Sequence, residues 1–195
     1  MKRAVFLDRD GTLVENRGYI CDFSQVVVFP FAVDAVRGLN RAGYRVIVVS
    51  NQSAVARGIC SEAQVARLHG LLREHFLERG AEIAAFYFCP FLAEGTVPAY
   101  RCASPLRKPE PGMLLQAARE HGIDLAGSFM VGDGADDIEA GRRAGCRTVL
   151  VRTGYGRESE SRLQPGGAGP DFIADDLAAA ARIIAALPGS GPGRG

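Results

Sequence analysis

The sequence has almost no excess charge, no long apolar run and no paired cysteine motif, and each absence removes a class of function. Its 23 Lys+Arg residues face 22 Asp+Glu, for a net charge of +1. It therefore lacks the surplus of positive charge that holds nucleic acid through its phosphates or coats an anionic membrane. Uninterrupted apolar runs such as residues 46–49 fall far below the roughly 18 residues of a membrane span. Met1-Lys2-Arg3 leads directly into a strand-like segment at residues 4–7, which is no secretory leader. The five cysteines, Cys21, Cys60, Cys89, Cys102 and Cys146, are odd in number, scattered and without a CxxC pair. That pattern argues against a disulfide framework and for a reducing cytosol, with Cys21, Cys60 and Cys146 expected as small packing or surface residues. The three histidines, His69, His75 and His121, have no companion motif and are expected to be structural or exposed. A cytoplasmic monomer without nucleic-acid or membrane partners is the expectation.

What is present is a core-forming composition. With 195 residues, 47% hydrophobic and 23% charged, the chain has the size and apolar content of one globular domain. Apolar, β-rich runs alternate with amphipathic stretches of helix length, the pattern of a parallel sheet covered on both faces. Strands are predicted at residues 4–7, 45–50, 85–88, 129–132 and 148–151, and helices at 33–42, 61–79, 111–121, 136–144 and 177–186. Punctuation supports the helices: Ser61 is a suitable N-cap, Pro111 stands at a helix start, and Gly43, Gly122 and Gly145 stand just past helix ends. Residues 155–171 read as an exposed loop rich in Gly, Ser and Pro. Residues 1–187 are expected to form one domain and 188–195 a flexible tail.

In an open parallel sheet, ligands bind at the carboxyl ends of the strands. Here those ends are polar: Asp8, Asp10, Gly11 and Thr12 follow the first strand, Ser50, Asn51 and Gln52 the second, and Asp133, Asp136 and Asp137 the fourth, while Arg107-Lys108-Pro109 precedes the third helix. Carboxylates gathered on one edge repel one another unless a cation neutralises them, and an oxygen-rich set selects Mg²⁺. Metal-held carboxylates beside a lysine, a hydroxyl and backbone N–H groups suit a phosphoryl group, so phosphoryl transfer is the implied reaction.

The segments Phe6-Leu7-Asp8-Arg9-Asp10-Gly11-Thr12, Ser50-Asn51-Gln52, Lys108-Pro109 and Gly132-Asp133 with Asp137 resemble, in order, the four motifs of the haloacid dehalogenase (HAD) superfamily. The resemblance implies a three-layer, Rossmann-like sandwich with a five-stranded parallel sheet in the order 5-4-1-2-3. It implies Asp8 as nucleophile, Asp10 as the acid that protonates the leaving alcohol and then the base for water, and Ser50 and Lys108 on the phosphoryl group. Mg²⁺ would be held by Asp8, the Asp10 backbone carbonyl and Asp133, with Asp137 orienting the metal's waters or Lys108. Asp136 is expected to cap its helix or to support the ligands rather than to bind the metal. Dehalogenase members lack the second aspartate, so Asp10 points to a phosphatase. Asp10 and Ser50 are about 40 residues apart and Ser50 and Lys108 fewer than 60, which leaves no room for a cap domain.

The strings FLDRDGTLVENRGY, SNQSAVARG and RKPEPGML are similar to the histidinol-phosphate and heptose-bisphosphate phosphatase branch, and most of all to its D-glycero-D-manno-heptose 1,7-bisphosphate 7-phosphatases. The expected substrate is thus a small phosphorylated sugar, contacted by Arg17, Gly18, Tyr19, Asn51, Gln52, Ser53, Arg57 and Arg107. Histidinol phosphate is the alternative, and a noncatalytic phosphosugar-binding protein the alternative of another class. One departure stands out. The branch usually carries a structural zinc before the third motif, but here that loop keeps only Cys89 and an out-of-register Cys102, with Phe91 in place of a ligand. Two thiols do not complete a closed four-ligand site. The loop is expected to hold without zinc, through Phe91, Leu92, Val97, Tyr100 and Leu106.

Overall fold

The computed structural model describes residues 2–163 and 169–187. Its sheet is parallel throughout and has six strands: β1 (Arg3–Leu7), β2 (Tyr44–Asn51), β3 (Ala85–Cys89), β4 (Phe129–Gly132), β5 (Arg147–Val151) and β6 (Phe172–Ala174), in the order β3-β2-β1-β4-β5-β6. Five of these follow the expected order. The sixth corrects the expected strand count: Phe172-Ile173-Ala174 is too short for periodicity to register, and it becomes a strand only because β5 offers a free edge. The helices α1 (Ala32–Arg41), α2 (Glu62–Leu77), α3 (Gly112–His121), α4 (Ala135–Ala144) and α6 (Leu177–Ala186) lie within two residues of expectation. Ser61 caps α2 in a reciprocal capping box with Gln64.

Alternation along the central strands builds three layers. Val5 and Leu7 of β1, with Val46 and Val48 of β2, turn to a core shared with α1, α2 and α6. Ala4 and Phe6, with Ile47 and Val49, turn to a second core formed with α3 and α4. Residues on both faces are fully buried, and because the strands are parallel their carboxyl ends share one rim. The segment between β1 and α1 adds two isolated bridges and a short 3₁₀ turn at Phe23–Gln25, and that between β3 and α3 one such turn at Pro98–Tyr100. Among the described residues no helix is long and apolar enough to cross a membrane.

Two further expectations are corrected. Within the stretch read as an exposed loop, Gly156–Ser161 forms a helix, α5. Its sequence GRESES carries no apolar stripe, so periodicity could not reveal it; Gly156 lies directly on the Val151 backbone, where a Cβ would collide. Cys21 and Cys60 are joined in a disulfide, with Cα atoms 5.6 Å apart across a separation of 39 residues. Motif spacing is silent on a pair that meets only because two loops flank one crevice. Residues 164–168 and the expected tail at 188–195 lie outside the described residues.

Candidate active site

The site assembles where β1, β2 and β4 end. Asp8 is held by its N–H, which donates to Val131 O of β4 at 2.9 Å. Gly11, with φ +86°, reverses the chain immediately afterwards, and its N–H donates to Val14 O at 2.7 Å. Lys108 reaches this rim from the far end of a long loop because Asn51 grips its backbone: Lys108 N–H donates to Asn51 Oδ1, and Asn51 Nδ2 donates to Lys108 O, both at 3.0 Å. The Lys108 ammonium, 3% exposed, uses its three donors on Asp8 Oδ1 (2.7 Å), Asp137 Oδ1 (2.6 Å) and Val49 O (2.8 Å). Burial alone would lower its pKa, but Asp137 and Asp8 outweigh that and raise it. Lys108 is a fixed cation.

Asp133 is locked by the β5–α5 connection. Tyr155 N–H donates to its Oδ2 at 2.7 Å and Ser159 Oγ to its backbone carbonyl at 2.9 Å. Gly11 and Gly154 press so closely on its carboxyl that a Cβ at either would overlap it. Thr153 Oγ1 donates to Gly11 O at 2.5 Å and ties the two glycine loops together. Asp137 accepts from Gly134 N–H at 2.9 Å at the start of α4.

One carboxylate oxygen from each of Asp8, Asp133 and Asp137 lies within 4.8 Å of the others. Burial first, and then the neighbouring carboxylates, push Asp133 above the usual carboxylate range; burial also raises Asp137, against the pull of Lys108. Three crowded acids against one ammonium leave uncompensated negative charge. An all-oxygen donor set of this kind fits a hard divalent cation such as Mg²⁺.

Beside this cluster opens a cavity of about 470 Å³, lined among others by Asp10, Gly18, Tyr19, Asn51, Gln52, Ser53 and Tyr155. The Asp10 carboxyl stands at its edge in a fork from Arg9, Nε to Oδ2 and Nη2 to Oδ1, both 3.0 Å, with Gln52 Nε2 donating to Oδ2 at 3.2 Å. Burial raises the Asp10 pKa, opposed by Arg9. Gln52 Nε2 also donates to Ser50 Oγ at 2.8 Å.

Comparison with known proteins agrees with this geometry. A HAD-hydrolase-like family model matches residues 105–180. Over 185 residues, covering 93% of this chain and 94% of the relative, the chain is 44% identical to D-glycero-D-manno-heptose-1,7-bisphosphate 7-phosphatase of Thermosynechococcus vestitus. The chain belongs to the haloacid dehalogenase superfamily, in its heptose-bisphosphate phosphatase branch. Among solved structures, the D,D-heptose 1,7-bisphosphate phosphatase of B. bronchiseptica, complexed with magnesium and phosphate, superimposes with a TM-score of 0.79 at 32% identity over 94% of this chain and 98% of that one. A HAD-like phosphatase from Mesorhizobium loti gives 0.82 at 33% identity, covering all of this chain and 90% of that one. The protein is a phosphatase of the HAD type, and its cluster of Asp8, Asp133 and Asp137 is one that could hold a metal ion.

Against this family pattern, the structure brings Asp8, Asp10, Ser50, Lys108, Asp133 and Asp137 to one rim. The third carboxyl converging with Asp8 and Asp133 is that of Asp137; the Asp10 carboxyl turns to Arg9, which leaves only its backbone carbonyl for a metal. The helix-capping carboxylate is also Asp137, while Asp136 is exposed. Gly18, Tyr19 and Ser53, expected as substrate contacts, line the cavity. Asn51 and Gln52 line it too, but their amides are committed to Lys108, and to Arg9, Asp10 and Ser50. Arg17, Arg57 and Arg107 are not among its lining residues; Arg17 and Arg57 are exposed, and Arg107 donates to Phe91 O at 3.3 Å.

In the loop before the third motif, Phe91 packs on Tyr100 with centroids 5.9 Å apart, and Leu92 N–H donates to Tyr100 O at 3.1 Å. Thr96 and Val97 N–H donate to Ala56 O at 2.8 and 2.9 Å. Burial raises the Cys89 thiol pKa.

Sequence reasoning missed Arg9, His69, Thr153, Tyr155 and Ser159. The middle position of a DxD motif is read as free, and the other four reach the site only through tertiary contacts. His69 was expected to be structural or exposed; it is 4% exposed, and burial followed by the Arg9 charge takes its pKa down to about 3. Between about pH 6 and pH 4 the unfolded chain therefore binds a proton at this position that the native state refuses, so stability rises with pH across that window. A single such group contributes a slope of about 1.4 kcal/mol per pH unit. Thermal melts at pH 7 and pH 4.5 should show a smaller acid loss for His69→Gln than for the wild type, and parallel losses would contradict this assignment.

Proposed function

We propose that the chain removes the C7 phosphate of D-glycero-D-manno-heptose 1,7-bisphosphate through an aspartyl-phosphate on Asp8. The observation that carries this is the Asp8 carboxylate, set by Lys108 at 2.7 Å beside two further carboxylates and two residues before Asp10, which lines the cavity. The T. vestitus relative's name supports the substrate.

In the proposed reaction an Asp8 oxygen attacks phosphorus as the ester P–O bond breaks, and Asp10 gives its proton to the departing C7 oxygen. Asp10 then takes a proton from water as the water attacks the phosphorus of the acyl phosphate and releases Asp8 and inorganic phosphate. Lys108 holds Asp8 in line for attack, and Ser50, oriented by Gln52, meets a phosphoryl oxygen. Asp8, Asp133 and the Asp10 carbonyl, with Asp137 beside them, would hold Mg²⁺, which would supply charge neutralisation for the phosphoryl oxygens. Arg17, Arg57 and Arg107 are read as rim cations for the second phosphate, which suits a bisphosphate better than a cationic amine. Without an inserted cap, selection falls to the loops of Tyr19, Ser53 and Tyr155. The Phe91–Tyr100 loop is read as standing without structural zinc.

Purified protein with Mg²⁺ and a panel of heptose 1,7-bisphosphate, histidinol phosphate, other sugar phosphates and p-nitrophenyl phosphate tests this reading. The highest kcat/KM is expected for the heptose bisphosphate, with one phosphate released per molecule, and metal analysis of the same preparation should find zinc well below one equivalent. Faster turnover of histidinol phosphate would overturn the substrate, and release from none of the panel would favour the noncatalytic alternative.

A further inference from the structure

Arg9 has no part in the reaction just described, yet its guanidinium lies buried at the heart of the site, with 1% of the side chain exposed. Burying a cation so deeply carries a heavy desolvation penalty unless its donors are met. Four of its five N–H groups are met, by three side chains. Nε and Nη2 clasp the two oxygens of Asp10, each at 3.0 Å; Nη2 also donates to Gln52 Oε1 at 3.1 Å, and Nη1 lies 3.2 Å from His69 Nε2. A guanidinium has no acceptor, so His69 Nε2 must accept and its proton resides on Nδ1. His69 is in turn clamped between Phe86, stacked at 4.9 Å, and Phe88, edge-on at 5.6 Å. The Arg9 bond also decides the orientation of Gln52: with Oε1 turned to Arg9, Nε2 is left to donate to Asp10 and Ser50.

A chain of fixed groups thus runs from β3 and α2 through His69 and Arg9 to the Asp10 carboxyl. We propose that Arg9, anchored by His69 and Gln52, is a positioning residue for Asp10: it sets the orientation in which that carboxyl meets the leaving oxygen at the cavity. The inference rests on the reading of Asp10 as the acid. A carboxyl free to rotate would offer its proton in the wrong direction for much of the time, and small misplacements of a reacting group are costly to rate. Two bonds from one rigid fork remove that freedom, which neither Gln52 alone nor a flexible lysine could do.

The dependence on leaving group tests this. The constant kcat/KM covers steps through cleavage of the ester P–O bond, and a sugar alkoxide leaves only with a proton, whereas p-nitrophenolate leaves without one. Arg9→Gln, Arg9→Lys, His69→Phe and Asp10→Asn are compared with wild type on p-nitrophenyl phosphate and on whichever sugar phosphate of the panel turns over fastest, with circular dichroism as a check of folding. For Asp10→Asn, kcat/KM on the sugar phosphate is expected to fall about 100-fold or more beyond any fall on p-nitrophenyl phosphate. For Arg9→Gln the excess is expected to be about 10- to 100-fold, with Arg9→Lys intermediate and His69→Phe milder in the same direction. Should Arg9→Gln fail to fold, Arg9→Lys and His69→Phe carry the test. A selective loss in Asp10→Asn with equal losses on both substrates, or none, in the folded Arg9 and His69 variants would overturn the positioning role alone. An unselective Asp10→Asn would remove the acid assignment and this inference with it.

Discussion

Asp8→Asn is expected to release phosphate from the preferred sugar phosphate at roughly 10⁻³ of the wild-type rate or less, since an amide does not form the acyl phosphate. The protein should nevertheless fold. Asp8 shares its corner with Asp133 and Asp137, and burial and these neighbours already push Asp133 above its ordinary range. The substitution removes one of three like charges while its amide oxygen can still accept from Lys108. In a chelator the variant should therefore melt at the wild-type temperature or above it. With saturating Mg²⁺ the order should reverse, because a ligand stabilises the form that binds it better. Phosphate release and paired melts with and without Mg²⁺ measure both effects; wild-type turnover in the variant would remove Asp8 as nucleophile.

Lys108→Met is expected to damage both activity and stability. The ammonium neutralises Asp8 and Asp137 at 2.7 and 2.6 Å, and all three side chains are nearly out of water. Breaking a buried pair by removing one partner costs about 3–5 kcal/mol, or roughly 6–20 °C in Tm for a domain of this size. The loss has a pH signature. Without Lys108 the Asp137 carboxyl, already raised by burial, moves further up and is protonated in the native state at a pH where the unfolded carboxyl has released its proton. Stability then falls as pH rises through that window. Melts in a chelator should place the variant further below wild type at pH 8 than at pH 5. A shift of only a degree or two at pH 8, with retained turnover, would show that Lys108 is not the electrostatic centre of the site.

Most of the sheet was legible because buried parallel strands are continuous apolar runs bounded by polar residues. Residues 129–132 are an example, between Ser128 and Asp133. The site motifs were legible for a related reason: chain reversal directly after a strand needs Gly11, and the carboxylates and lysine sit next to such breaks. Asp137 was legible as the carboxylate beside Lys108, but the helix cap was expected from Asp136, an adjacent residue of the same type. Helix phase decided it, turning Asp137 to Lys108 and Asp136 to solvent. Strand β6 and helix α5 were illegible because three residues carry no period and GRESES has no apolar face.

The residue order alone determined the α/β alternation, the chemistry of the strand ends and the spacing of two aspartates, Asp8 and Asp10, directly after the first strand, since all of these follow from local periodicity and from which side chains can carry charge beside a phosphoryl group. Only the folded chain decided that Arg9 is an interior cation, that His69 accepts from it, that Tyr155 and Ser159 fix Asp133, and that Cys21 meets Cys60. These contacts join residues up to 60 positions apart, and no local propensity encodes them. They arise when packing removes water from a buried charge and the nearest complementary group, wherever it stands in the sequence, has to replace it.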